Sequence, residues 1–359
     1  MESRARQGSA VHPVRDPRHG GEAVVRRPTL ADVASATGVS TATVSYVLND
    51  KPGQSIPEHT RERVRAAAAE LGYVRSGAAR ALARGRSDLV LLVVPDVPVG
   101  PVLVGLLERL TTACSRAGLH LLAKLSFAGD DLGALCRELL PAAVIVLVDL
   151  DPERIDPIRE LRIPVARWTV SHSSARDADG VHDVPVPTAA VGRAQAEAMV
   201  AAGRQRLAYA LPADPRLTGL AEGRLSGVTA VCRELALPDP LILGSPSGAV
   251  STAELRSCVE AGVTGVCAYN DDVALAVLTA ARAAGIEVPA RLAVIGVDDI
   301  PAGRLAQPEL ATISFDLDVI CARLMLAVTK SLGSTLAGAP GPASELRLHP
   351  RASLGDGGG

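Results

Sequence analysis

The stretch that decides this chain is "TLADVASATGVSTATVSYVLND", Thr29 to Asp50. Thr29 stands before the first apolar residue, and Asp32 follows three positions on. That spacing predicts a capping box: the Thr29 hydroxyl accepts from the Asp32 amide while the Asp32 carboxylate faces the helix start. Leu30, Val33 and Ala34 form one apolar stripe at helical spacing. Gly38 sits where the chain must leave the helix through a left-handed conformation. Ser40 then caps a second helix, with Val44, Val47 and Leu48 inward and Thr41, Ala42, Ser45, Tyr46 and Asn49 outward. A third helix fits Pro57 to Leu71, with Val64, Ala67, Ala68 and Leu71 inside and Gly72 at its end. Two short helices joined by a Gly turn and braced by a third read in two ways. One is a helix-turn-helix unit with its second helix in the DNA major groove; the other is an ordinary three-helix bundle.

Charge bears on that choice. Residues 1–87 carry 14 Lys and Arg against 8 Asp and Glu, a net of +6, and the remaining 272 carry 23 against 31, a net of −8. A basic front on an acidic body suits a polyanion partner. No run of eighteen apolar residues occurs, so no membrane partner is expected. The opening residues have Arg and Pro but no apolar core of a secretory signal, and the expected location is the cytoplasm. The six cysteines (Cys114, Cys136, Cys232, Cys258, Cys267, Cys321) include no C-x-x-C pair, which favours free thiols over a disulfide framework or a zinc site.

After Ser87 the pattern changes. "LVLLVVPD" is a continuous aliphatic run of the kind buried on both faces of a parallel sheet. Helical and aliphatic stretches then alternate through "LHLLAKLS", "AAVIVLVD" and "IPVARWTV". The alternation starts again at "QRLAYALP" and runs through "LILG", "GVCAYN", "LAVIGVDD" and "ATISF". Two such halves mean two doubly wound lobes with a cleft between them, and ligands in such sheets bind at the carboxyl ends of strands. The cleft candidates are Asn270, Asp271, Asp298 and Asp299 at strand ends, and Arg224, placed at a helix start. Each Asp or Asn is alternatively a helix cap. Trp168, the only tryptophan, either stacks on a ligand or fills the core.

Specific segments resemble a known family. "TLADVASATGVSTATVSYVLN" resembles the headpiece of LacI/GalR-family transcription factors. "HTRERVRAAAAELGYV" is similar to that family's third helix and "AARALARGRS" to its hinge helix, and a weaker resemblance continues to Arg351. It implies an α/β fold class: an N-terminal helix-turn-helix headpiece and hinge helix, then a two-lobed periplasmic-binding-protein-like core with doubly wound parallel sheets. The implied divisions are a leader at 1–27, the headpiece at 28–76, the hinge at 77–87, the core at 88–353 and a tail at 354–359. Within the core, lobe one takes approximately 88–182 and 317–343, and lobe two approximately 183–316 and 344–353.

The resemblance also implies roles. Thr41, Ala42 and Tyr46 fall on base-reading positions. Thr29, Ser40, Thr43, Ser45, Asn49 and Tyr73 fall on positions that hold the phosphate backbone or shape the fold. Ala79 and Leu82 fall on the minor-groove hinge, where Leu82 matches the wedging leucine. Arg224, Asn270, Asp298 and Trp168 fall at the effector cleft. The chain departs from the family at "VPVGPV", which lacks the usual aromatic, and at Pro187, Thr188, Thr169 and Phe315, where relatives carry polar effector contacts. That is a loss of hydroxyl partners and stacking surface.

The implied function is a sequence-specific repressor that binds double-stranded operator DNA as a homodimer and senses a small polar ligand such as a sugar. The alternative is a DNA-binding regulator whose core has lost effector binding and serves as a scaffold. "LHPRASLGDGGG" carries no heptads, so a dimer rather than a tetramer is expected. No nucleophile elbow, P-loop or dinucleotide fingerprint appears, so neither enzymatic activity nor a cofactor or metal is expected.

Overall fold

The computed structural model describes residues 28–49, 53–73, 85–94, 96–127, 129–147, 151–169, 181–245, 248, 250–332 and 345–355. The leader, the hinge residues Ala79 and Leu82, and the tail from residue 356 lie outside the described residues. Two compact units divide the chain, Met1–Arg80 and Ala81–Gly359.

In the first unit, α1 (Leu30–Thr37), α2 (Thr41–Leu48) and α3 (Glu58–Glu70) close on a small aliphatic core of Val33, Ala34, Val44, Val47, Val64 and Ala68. The capping box forms at Thr29: its amide donates to Asp32 Oδ2 at 2.6 Å, and its hydroxyl accepts from the Asp32 amide at 3.4 Å. Gly38 ends α1 at φ +67°, a conformation that a side chain would strain. Ser40 Oγ accepts from the Thr43 amide at 3.1 Å and so starts α2.

The second unit holds two sheets. Lobe one runs β1 (Leu89–Val94), α4 (Pro101–Arg116), β2 (His120–Leu125), α5 (Leu132–Leu139), β3 (Ala143–Val146), α6 (Pro152–Glu160), β4 (Val165–Thr169) and β5 (Val181–Pro185). Its strands are all parallel, in the order β2-β1-β3-β4-β5. Strand β1 shows why the aliphatic run is needed: Val90, Leu92 and Val94 enter one core cluster and Leu91 and Val93 the other.

Lobe two runs α7 (Thr188–Ala201), β6 (Leu207–Ala210), α8 (Thr218–Glu234), β7 (Leu241–Leu243), α9 (Thr252–Glu260), β8 (Gly265–Ala268), α10 (Asp271–Ala284), β9 (Ala293–Val297), α11 (Pro301–Leu305) and β10 (Ala311–Phe315). The chain returns to lobe one in α12 (Leu317–Ser331), whose Ile320, Leu324, Met325 and Val328 join the lobe-one core. It ends in lobe two with β11 (Leu346–His349), antiparallel to β10 in the order β11-β10-β9-β8-β6-β7.

One boundary needs correction. The expected division after residue 182 falls inside β5, which pairs with β4 through Pro185, and Val186 still donates to the Thr169 carbonyl at 2.8 Å. The first crossing therefore follows Val186. Strand β5 carries His and Asp rather than an aliphatic run, so local pattern does not mark it.

Helices α7 and α8 meet backbone to backbone. A Cβ on Gly192 would lie 1.8 Å from the Arg224 carbonyl oxygen, and one on Gly227 would lie 1.9 Å from that of Ala189. Those two glycines set where α8, and with it Arg224, sits on the sheet.

Candidate DNA-reading face and ligand cleft

On the headpiece, Thr41 and Ala42 are exposed at the first turn of α2, and Tyr46 lies one turn later, half-buried. The neighbouring polar groups hold the local fold. Ser40 and Thr43 hydroxyls lie 2.9 Å apart, and Asn49 Nδ2 donates to Ser45 Oγ at 3.1 Å. Tyr73 packs on the small core. Arg61 donates to the carbonyls of Ile56 and Gln54, both at 3.2 Å, fixing the entry to α3.

In the core, the polar groups gather at the strand ends of lobe two. Arg224 is 7 % exposed and lies in the second turn of α8, not at the helix start where sequence placed it. The helix begins at Thr218, after a short 3-10 turn (Pro215–Leu217), so its whole first turn precedes Arg224. The Arg224 Nη1 group donates to the Tyr269 carbonyl, its Nε is buried without a partner, and its guanidinium carbon sits 4.4 Å from the Tyr269 ring centre and 5.9 Å from that of Phe315. The sequence had suggested lost stacking surface; the two rings instead flank the arginine itself.

Asp298 follows β9 at φ +107° and Asp299 at +51°, both in the left-handed half of backbone space that a side chain strains. Burial pushes the Asp298 carboxyl up to about 7, against the opposing pull of Arg224 and with Asp271 and Asp272 adding to it. Asp299 turns away: it pairs with Arg304 at 2.6 Å and with Arg351. Burial works to raise it, yet these arginines hold it below the ordinary carboxylate range.

Asp271 holds this turn in place. It is fully buried, and its carboxylate accepts from the Ile300 amide at 2.9 Å and the Thr312 hydroxyl at 2.7 Å. Burial raises it to about 6. Its side chain fits over β9 only because residue 296 is glycine, where a Cβ would stand 2.1 Å from Asp271 Oδ1. Asn270 caps α10, its Oδ1 accepting from the Val273 amide at 3.0 Å, so the capping reading describes its oxygen. Trp168 packs on the lobe-one core with Nε1 buried and unpartnered.

Sequence reasoning missed three groups. Gln195, fully buried in α7, donates through Nε2 to the Ala268 carbonyl at 2.8 Å, with the Gly296 carbonyl at 3.3 Å; its Oε1 has no partner. Tyr209 is fully buried with an unpartnered hydroxyl, and burial raises its phenol despite the opposing Arg224 charge. Tyr269 supplies both ring and carbonyl to Arg224. Only Gln195 carried a signal, a lone amide within an otherwise small and apolar helix face. Among the described residues no cluster of His, Cys, Asp and Glu has metal-binding geometry, and no helix is long and apolar enough to cross a membrane. All six cysteines are buried and free.

Comparison with known proteins fits this organisation. Residues 29–76 match the model for bacterial regulatory proteins of the lacI family, and residues 196–354 match the periplasmic binding protein-like domain. The chain is 31 % identical over 293 residues, 80 % of its length, to the HTH-type transcriptional regulator GntR of Pseudomonas aeruginosa, covering 84 % of that protein. The chain belongs to the LacI family.

This LacI-family protein is also 30 % identical to the ribose operon repressor of Bacillus subtilis, with 84 % of the chain and 92 % of that repressor covered. Its fold is that of the Lac repressor dimer bound to operator and an anti-inducer: TM-score 0.72, 22 % identity, 92 % and 99 % of the two chains covered. The protein is a helix-turn-helix transcriptional regulator with a periplasmic-binding-protein-like core.

Proposed function

We propose that this regulator is a repressor that works in the cytoplasm, on the nucleoid, binding double-stranded operator DNA as a homodimer. A small polar ligand held at the strand ends of lobe two switches its affinity. The observation that carries the reading is the joining of a capped helix-turn-helix unit to a lobe that gathers a buried Arg224 and a half-buried Asp298 at the ends of its strands. Arg224 Nε is buried without a partner, and a hydrogen-bond acceptor on a ligand would satisfy it.

Thr41, Ala42 and Tyr46 are assigned to base edges. Thr29, Ser40, Thr43, Ser45, Asn49 and Tyr73 set the docking of the headpiece on phosphates. Ala79 and Leu82 are assigned to the minor groove. Arg224 and Asp298 are assigned to the ligand, with Trp168 closing from lobe one and Asn270 keeping the rim of the site in shape. The relatives support a sugar-like ligand: one structural neighbour is a CelR–cellobiose complex, with TM-score 0.60 and 24 % identity.

Two exposed apolar regions support dimerisation. In lobe one Leu122, Leu125 and Phe127 stand open on and after the edge strand β2. In lobe two Leu305 is 84 % exposed beside a groove of about 320 Å³ lined by Leu275, Leu278 and Arg282. A second copy covers such surface better than water does.

The test is selection of DNA fragments by the purified full chain. A near-palindromic site is expected, and Thr41→Ala should lose about 1–3 kcal/mol on it and less on random DNA. Equal loss on both would remove base reading. A thermal-shift screen of sugars and sugar acids against the wild type and Arg224→Ala then tests the ligand. No hit, with operator binding intact, would favour the scaffold alternative.

A further inference from the structure

Arg216 lies in the 3-10 turn between β6 and α8, beyond the carboxyl end of β6. Asp214 holds it from three nitrogens, accepting from its amide at 2.9 Å, its Nε at 3.0 Å and its Nη2 at 2.7 Å. The remaining arm, Nη1, donates to Asp96 Oδ1 at 2.8 Å. Asp96 belongs to lobe one and follows the carboxyl end of β1. One ion pair thus ties the strand ends of one lobe to those of the other.

Its position matters more than its strength. The chain crosses between lobes beside β5, between β10 and α12, and again before β11. On that side Phe315 packs on both cores, the Asp316 amide donates to the Glu345 carbonyl at 2.7 Å, and Arg323 pairs with Glu345. Strand β1 is three places from β5 in its sheet, and β6 is three places from β10 in the other. Three strand spacings are about 14 Å. A rigid-body turn of about 15° around the crossings moves a point at that distance by roughly 4 Å, while the crossings stay nearly still. The contacts beside the crossings survive such a turn, and the Asp96–Arg216 pair does not.

We propose that Asp96–Arg216 is a latch that holds the lobes closed and sets the lobe equilibrium to which operator affinity responds. The inference rests on the regulator reading above. Asp214 pre-orients the guanidinium, so little ordering is needed when Asp96 arrives. The pair is half exposed, which limits it to a bias of about two- to fivefold in the closed-to-open ratio. A bias of that size tunes a response without locking it.

The experiment uses the full chain and two readouts. Trp168, the single tryptophan, stands one residue before the end of β4, near the carboxyl end of the lobe-one sheet, with its ring nitrogen buried; acrylamide quenching of its fluorescence is the chosen readout of opening. Operator affinity is measured on the fragment that the wild type selects. Asp96→Asn and Arg216→Gln should each increase quenching and shift operator affinity about two- to fivefold in one common direction. The double variant should match the singles, and Asp96→Glu should stay near wild type. Added salt should increase quenching in the wild type but not in Asp96→Asn. Unchanged quenching, or additive effects in the double variant, overturns the latch. Quenching that moves while operator affinity does not overturns the coupling to DNA. A wild type that selects no DNA sequence removes the regulator reading instead, and the Trp168 measurement still decides whether the pair holds the lobes.

Discussion

The two lobes share a doubly wound plan but spend polar residues differently. Lobe two carries buried Arg224, Asp271, Gln195 and Tyr209 among its strand ends and the helices beside them. Lobe one presents a buried Thr169 and the half-buried Trp168, and its strong internal ion pair, Arg167–Asp183 at 2.7 Å, runs across β4 and β5. Their helices also pack differently. In lobe two α7 and α8 touch through backbone at Gly192 and Gly227. In lobe one the tight glycines meet side chains: a Cβ on Gly105 would reach Leu317 Cδ1 at 2.7 Å, and one on Gly133 would reach Pro157 at 2.6 Å. Lobe two holds its buried charge on helices packed through backbone, and lobe one packs its helices through side chains.

The largest expected effect tests that difference. Gly227→Val has no space and should destabilise the core by about 3 kcal/mol or more, read from urea unfolding. Gly219→Ala, facing open space in the same helix, should be neutral or slightly stabilising. Equal behaviour of the two would erase the contrast in packing.

Asp271→Ala comes next. It strands the Ile300 amide and the Thr312 hydroxyl inside the protein and should cost about 2–4 kcal/mol. Among its described residues lobe one buries no carboxylate in this way, so its amide exchange should change less than that of β8 and β9. Uniform loss of protection would argue against a local role.

The third test uses pH. Asp298 and Asp271 both have carboxyls raised above their unfolded value, to about 7 and about 6. The folded state then binds more protons than the unfolded state between pH of about 4 and 7, so their contribution to stability falls as pH rises through that window. Asp298→Asn should raise the urea midpoint near pH 8, by roughly 1–3 kcal/mol in stability, and change little near pH 4. A gain independent of pH would mean that the carboxyl is not held neutral by burial.

The smallest effect belongs to lobe one. Gly105→Ala asks only the end of Leu317 to move, and helix propensity offsets part of the strain, so stability should stay within about 1 kcal/mol of wild type. A loss as large as that of Gly227→Val would show that both lobes are equally tight.

What the sequence by itself determined lies within about four residues of each signal. Thr29 with Asp32, Ser40 with Thr43 and Gly38 after α1 marked the headpiece, because caps and turns depend on neighbouring backbone alone. The aliphatic runs marked the central strands, since a strand covered on both faces needs apolar residues at every position. Tertiary structure alone decided the rest. Strand β5 is held by its pairing with β4, although its own residues look like a loop. Helix α6 survives with Pro157 inside it. Asp271 became a buried support because Gly296 and Thr312, 25 and 41 residues away, leave it room and a donor. Arg224 acquired its aromatic cage from Tyr269 and Phe315, which reach it only through strand order. Local rules act through a backbone whose geometry is already known. Burial and pairing of charge depend on which distant strands become neighbours, and a single chain's pattern carries that only weakly.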